Sequence, residues 1–184
     1  MKSYVISLCA FVTIAVAFLA SKTVHAQAFC FPDIPETSNS DEFTILNEQE
    51  VWHRASNLVF MRCSVGQTFD GNTCTGDATL FSWQDALALN RVQIQNENSL
   101  WRLPNVKELS VIVERNCVRP SINKSVFPET PPDEYWTSTP VRNDATRAWS
   151  IAFTNGTSSI KDQALTLHVR MVRLHLPSDI VPSS

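Results

Sequence analysis

The stretch Trp101-Arg102-Leu103-Pro104-Asn105-Val106-Lys107-Glu108-Leu109 decides the fold class. Pro104 is tolerated just ahead of a helix but not inside one. Asn105 is a good N-cap, and Glu108 three residues on completes an Asn-x-x-Glu capping box. Val106, Leu109, Ile112 and Val113 then recur at helical spacing. The pattern predicts a helix from Asn105 to near Asn116 with one buried face. Upstream, Ser82 repeats the logic. It is an N-cap with Asp85 three residues later, and Trp83, Ala86, Leu87 and Leu89 form an apolar stripe to about Arg91.

Outside these helices the chain reads as strands and loops. Residues 43–46 and 58–62 are short strand candidates, the second apolar enough to be buried on both faces. Residues 47–57 are ambiguous. Pro120, Pro128, Pro131 and Pro132 make residues 119–135 a long irregular loop, which Ile122, Val126 and Phe127 pin to the core. Residues 135–139 form a strand. Residues 148–153 and the segment after Asn155-Gly156 form a hairpin, since Asn-Gly is a strong two-residue turn signal. Residues 165–174 alternate and read as the last strand, with Arg170 and Arg173 on opposite faces. Helices followed by antiparallel strands give an α+β class.

The ends and the composition bound the setting. Lys2, an apolar run over residues 4–20 and Val24-His25-Ala26 have the form of a cleavable signal peptide, with the cut after Ala26. The expected layout is a signal over 1–26, an extended lead-in over 27–57, the main domain over 58–176 and a tail over 177–184. No later segment approaches a membrane-spanning length. Without Lys2 and Lys22 the mature chain holds thirteen basic and eighteen acidic residues, a net charge of −5. That balance excludes a protein built on non-specific nucleic-acid binding and leaves polyanions only a local basic patch.

Four cysteines survive the cut: Cys30, Cys63, Cys74 and Cys117. In an oxidising compartment they form two disulfides. Cys63 and Cys74 flank a turn-rich segment with Gly66, Asp70, Gly71 and Asn72, so they pair, and Cys30 pairs with Cys117 by elimination. There is no C-x2-C spacing for zinc.

Several motifs, in order, resemble one bacterial family. Trp101-Arg102-Leu103-Pro104 with Glu108-Leu109, then Phe127-Pro128, Tyr135-Trp136-Thr137-Ser138-Thr139-Pro140, Ala148-Trp149 with Phe153 and Gly156, and Val169-Arg170-Met171-Val172-Arg173 resemble the signature of the Lcl C-terminal domain family. Met61-Arg62-Cys63-Ser64 with Gly66-Gln67, and Cys74 with Gly76, are similar to a subset of exported members. The resemblance implies a C-type-lectin-like variant, with two helices on small antiparallel sheets. It also implies an exported protein or surface module, and the founding member is implicated in adhesion through sulfated polysaccharides. Lectin-like folds host sugar binding, protein binding and enzymes, so the fold alone assigns no task.

The residues divide into structural and binding candidates. Trp101, Arg102, Leu103, Pro104, Glu108, Trp149 and Gly156 are read as structural family-motif positions. Tyr135 and Trp136 are aromatic candidates for stacking on a sugar, with a core role as the plainer reading. Arg142, Arg147, Lys161, Arg170 and Arg173 make the C-terminal part basic and are the candidates for an anionic ligand. The calcium triplets of sugar-binding C-type lectins are missing, so no metal site is expected. No H-E-x-x-H, G-x-S-x-G or glycine-rich phosphate loop is present, and the cysteines are committed to disulfides. The expected function is therefore an exported, non-enzymatic module without cofactor. It recognises a glycan or a surface protein at the envelope or outside the cell, or else serves as an assembly subunit of an envelope complex.

Overall fold

The computed structural model describes residues 28–89 and 101–179. The expected signal-peptide segment, the expected end of the first helix near Arg91 and residues 180–184 lie outside the described residues.

Alternation in two sheets separates two hydrophobic cores. The four-stranded sheet holds β2 (Phe43–Ile45), β3 (Glu50–His53), β4 (Leu58–Met61) and β11 (Val172–Leu174), in the order β11-β4-β3-β2. The three-stranded sheet holds β8 (Glu134–Val141), β9 (Asp144–Ala152) and β10 (Thr157–Asp162), with β9 central. All pairings within both sheets are antiparallel. Successive strand residues face opposite ways. Thus Val51, Phe60, Tyr135 and Ile151 enter one core, with Leu109, Ile112 and Phe127. Val59, Trp136 and Ala148 enter the other, with Trp83, Trp101 and Met171. β4 feeds both cores, Leu58 and Phe60 on one side and Val59 on the other, which is why its sequence is continuously apolar rather than alternating.

Among the described residues two α-helices flank these strands, α1 (Trp83–Ala88) and α2 (Val106–Ser110). Asn105 accepts from the N–H groups of Lys107 and Glu108, and Glu108 accepts from the Asn105 N–H, so the capping box is complete. The second helix is shorter than its apolar spacing predicts. After Ser110 the N–H groups of Ile112 and Val113 bond three residues back, tightening the chain out of α-geometry. Ile112 and Val113 remain buried all the same.

Smaller ribbons tie the ends. β1 (Phe29–Cys30) pairs with β7 (Cys117–Val118), and β5 (Thr68–Phe69) pairs with β6 (Cys74–Thr75). Each ribbon carries a disulfide, Cys30–Cys117 and Cys63–Cys74, the pairing that spacing and elimination predict. The Glu114 carboxylate is buried and accepts from the Thr37 and Ser38 N–H groups at 2.9 Å. That contact anchors the lead-in beside Cys30.

Three expectations need correction. Residues 27–57 are not simply a lead-in, because β2 and β3 complete the four-stranded sheet. Residues 165–174 are not one strand. Leu167 pairs with Phe81, His168 with Tyr135, and Val172 with both Arg102 and Phe60. This segment threads between the sheets and changes partner at almost every step, so both its sides are covered. The β9–β10 connection is also longer than a two-residue turn, since Ala152 pairs with Thr157 across residues 153–156.

Gly156 is the one position in that connection that must lack a side chain. Its φ is +75°, and a Cβ there would stand 2.7 Å from Val113 Cγ1. Gly156→Ala is expected to cost about 2 kcal/mol from left-handed backbone strain and overpacking. Equilibrium denaturation measures it, and a loss within about 0.5 kcal/mol, the range of an ordinary surface change, contradicts the assignment.

Candidate functional site

The basic candidates do not form one site. Arg170 is fully buried, and its guanidinium donates to the Met61 and Arg62 carbonyls and to Thr130 Oγ1 at 2.7 Å. Arg173 is also buried, bonding Glu50 at 2.5 Å and Asp179 at 2.7 Å and lying over the Trp101 ring. Lys161 pairs with Glu134 at 2.9 Å. Arg147 pairs with Asp144, whose carboxyl the Thr146 hydroxyl and then Arg147 hold down at about 2. Arg147 and Lys161 point to opposite faces of their sheet, since Lys161 pairs with Ala148 rather than with Arg147. Arg142 alone stays exposed and without an acidic partner among the described residues, on the β8–β9 turn. Tyr135 and Trp136 are fully buried and reach no ligand from outside. The Tyr135 hydroxyl is 2.6 Å from Ser64 Oγ, and Trp136 Nε1 donates to the Phe81 carbonyl at 2.8 Å.

The motif Trp101-Arg102-Leu103-Pro104 joins core and helix start. Trp101 and Leu103 belong to the second core. Arg102 makes a bidentate pair with Glu108, both bonds 2.7 Å. Burial alone raises the Glu108 carboxyl, but the Arg102 guanidinium and the Asn105 N–H bring it below its ordinary value. Glu108 thus caps the helix and binds Arg102 at once, a double role that spacing alone does not reveal.

What sequence reasoning missed lies between α2 and the β9–β10 connection. A groove of about 550 Å3 has Val106, Ile151 and Gly156 among its lining, with Lys107, Ser110, Arg115, Asn155, Thr157 and Ser158 as its polar groups. It contains two cations and no acid. Lys107 and Arg115 are exposed, and neither has an acidic partner among the described residues. Arg119 adds a third such cation nearby, its N–H bonded to the Thr154 carbonyl at 3.0 Å. Trp149 lies two residues before Ile151 on β9 and so on the same sheet face, half-buried and paired across the strands with Ile160. The groove joins residues 106–115 to residues 151–158, two stretches that meet only through tertiary packing. The only sequence signal was the exposed side of α2, opposite its apolar stripe.

A second cleft of about 190 Å3 lies over Cys63, between Met61, Phe69, Leu89 and Met171, and has no charged lining residue. Among the described residues no group of three or more His, Cys, Asp or Glu side chains is placed to hold a metal ion. No helix among them is long and apolar enough to cross a membrane.

Compared with curated proteins and with solved structures, the chain matches none. The family model described as Lcl C-terminal domain matches residues 49–173. That span starts just before β3 and ends inside β11, and it takes in the buried residues of both cores apart from Phe43, the Arg102–Glu108 pair and the groove. With more than half of its length covered, the chain belongs to the Lcl C-terminal domain family.

Proposed function

We propose that this chain is an exported, non-enzymatic binding module that recognises a glycan bearing acidic groups, at the bacterial envelope or outside the cell. The observation that carries the reading is the groove, with Lys107 and Arg115 unpaired and no acid in its lining. Arg102, Arg147, Lys161 and Arg173 are each paired with a carboxylate, whereas Lys107 and Arg115 have none among the described residues. Free cations gathered beside the hydroxyls of Ser110, Thr157 and Ser158 suit a sugar ring with a carboxylate or sulfate substituent. Two disulfides support an oxidising compartment. We read the two helices on small antiparallel sheets as a C-type-lectin-like variant, on the strength of the family resemblance.

A glycan array on the oxidised protein, with acidic and neutral sugars, tests this. Lys107→Ala/Arg115→Ala is expected to weaken acidic-sugar binding at least about tenfold, since each charge-assisted bond contributes roughly 1.5–3 kcal/mol. Arg142→Ala serves as a control, because the length of β9 separates its turn from the residues 153–156 connection. Acidic-sugar binding indifferent to the double substitution rules the groove out. Silence across all sugars, with a stable protein partner recovered, favours an envelope assembly subunit instead.

A further inference from the structure

Gly156 is the one glycine of the sequence that follows an asparagine; the others follow Val65, Asp70 and Thr75. Every other asparagine precedes a residue whose Cβ crowds its own backbone nitrogen. Glycine lets a side-chain amide and the next N–H approach without that obstacle. Asn155 is exposed and shares the groove lining with Lys107 and Arg115. Its amide oxygen accepts from the Thr157 hydroxyl at 2.8 Å and from the Thr157 N–H at 3.2 Å. Its amide nitrogen has no partner among the described residues. The carbonyl is thus polarised by two donors while the nitrogen that would leave is free. Donors aimed at an oxygen that gains charge during attack act as an oxyanion hole does. Asp70-Gly71 is the contrast. The Asp70 carboxylate accepts from the Thr73 N–H at 2.9 Å and the Asn72 N–H at 3.0 Å, and these bonds hold it below its ordinary value. A carboxylate so held stays ionised and is a poor electrophile, whereas the Asn155 amide is neutral.

We infer that Asn155 is a self-modification site, at which attack by the Gly156 nitrogen converts the amide into an acid and closes the groove to anions. The inference rests on the groove reading for its consequence but not for its chemistry. The Gly156 N–H gives up its proton to hydroxide, and its nitrogen forms a bond to Asn155 Cγ. The Cγ–Nδ2 bond then breaks, and Nδ2 takes a proton from water and leaves as ammonia. Water opens the resulting five-membered imide at either carbonyl, giving aspartate or its backbone-shifted isomer. The two groove cations favour the deprotonated nitrogen and the oxyanion. The Gly156 N–H donates to the Ala152 carbonyl at 2.8 Å, so the turn must open before attack and the reaction is slow. The product places a carboxylate in a lining that until then holds two cations and no acid. It pairs with those cations and repels an anionic ligand. The anion affinity of the groove therefore falls as the protein ages.

Peptide mapping by mass spectrometry, on the oxidised protein held folded at mildly alkaline pH, tests the chemistry. Asn155 gains the mass of an amide-to-acid conversion and gives two product peaks, while the other asparagines of the described residues stay intact. Thr157→Val, which removes the hydroxyl donor, slows the conversion about tenfold, a mild version of losing an oxyanion donor. An Asn155 that persists in the folded protein while the unfolded chain converts overturns the inference. So does a Thr157→Val protein that converts as fast as the wild type or faster, since the bonds then protect the amide instead of activating it. Binding to heparin, which carries both carboxylate and sulfate groups, tests the consequence. Asn155→Asp is expected to bind about fivefold more weakly than Asn155→Gln at low salt. Equal binding by these two variants overturns the regulatory role. A wild-type protein that never binds heparin overturns the groove reading and the consequence drawn from it, while the mapping still decides the chemistry at Asn155.

Discussion

Arg170→Met should lower the unfolding free energy by about 3 kcal/mol. Arg170 is fully buried, and its partners among the described residues include no carboxylate. Its charge is held by the Met61 and Arg62 carbonyls, the Thr130 hydroxyl and the face of Phe127, 5.0 Å away. Burial pushes its guanidinium down and the neighbouring Tyr135 phenol up. Methionine keeps most of the side-chain length but donates nothing. Two carbonyls and a hydroxyl lose their donor in a site closed to water, each at a cost of about 1–3 kcal/mol, while relief of the buried charge offsets part of the total. Arg170→Lys should recover little, because a point charge cannot reach acceptors spread around a planar fork. Chemical denaturation gives the number. A loss below about 1 kcal/mol means that this network is dispensable and that Arg170 has another role.

Removing the Cys30–Cys117 bond by Cys30→Ser/Cys117→Ser should cost about 4 kcal/mol, more than Cys63→Ser/Cys74→Ser at about 3 kcal/mol. The first pair is separated by 87 residues and the second by 11. A longer closed loop removes more entropy from the unfolded chain, so its loss destabilises more. The folded lead-in keeps other ties. Glu114 still accepts from Thr37 and Ser38, and Asn123 still donates to the Ser38 carbonyl at 2.9 Å. The effect should therefore appear in stability, with little change in circular dichroism under native conditions. Denaturation of the two double variants side by side decides it. The reverse order of costs means that native contacts around the short ribbon outweigh chain entropy.

Local chemistry was legible where it closes over a few residues. The Asn105–Glu108 capping box, the Ser82 N-cap and the buried stripe of Leu109, Ile112 and Val113 need only neighbours in sequence, and all are present. The cysteine pairing was legible because four cysteines and one short turn-rich segment leave little choice. The family motifs were legible as well, and they follow the residues that build the two cores.

Charge was not legible in the same way. Arg142, Arg147, Lys161, Arg170 and Arg173 are close in sequence, yet packing sends them to a turn, two opposite sheet faces and the interior. Whether a cation is free depends on the acids opposite it. Those lie far along the chain, as Glu50 does from Arg173. The segment over residues 165–174 has a strand's alternation but no constant partner, because strand pairing belongs to two segments and one sequence shows only its own half. Composition, helix starts and cysteine pairing follow from short-range sterics and chain statistics and were settled in one dimension. The groove of Lys107 and Arg115 and the covered Arg170 depend on which distant groups packing brings close, and only the folded chain decides that.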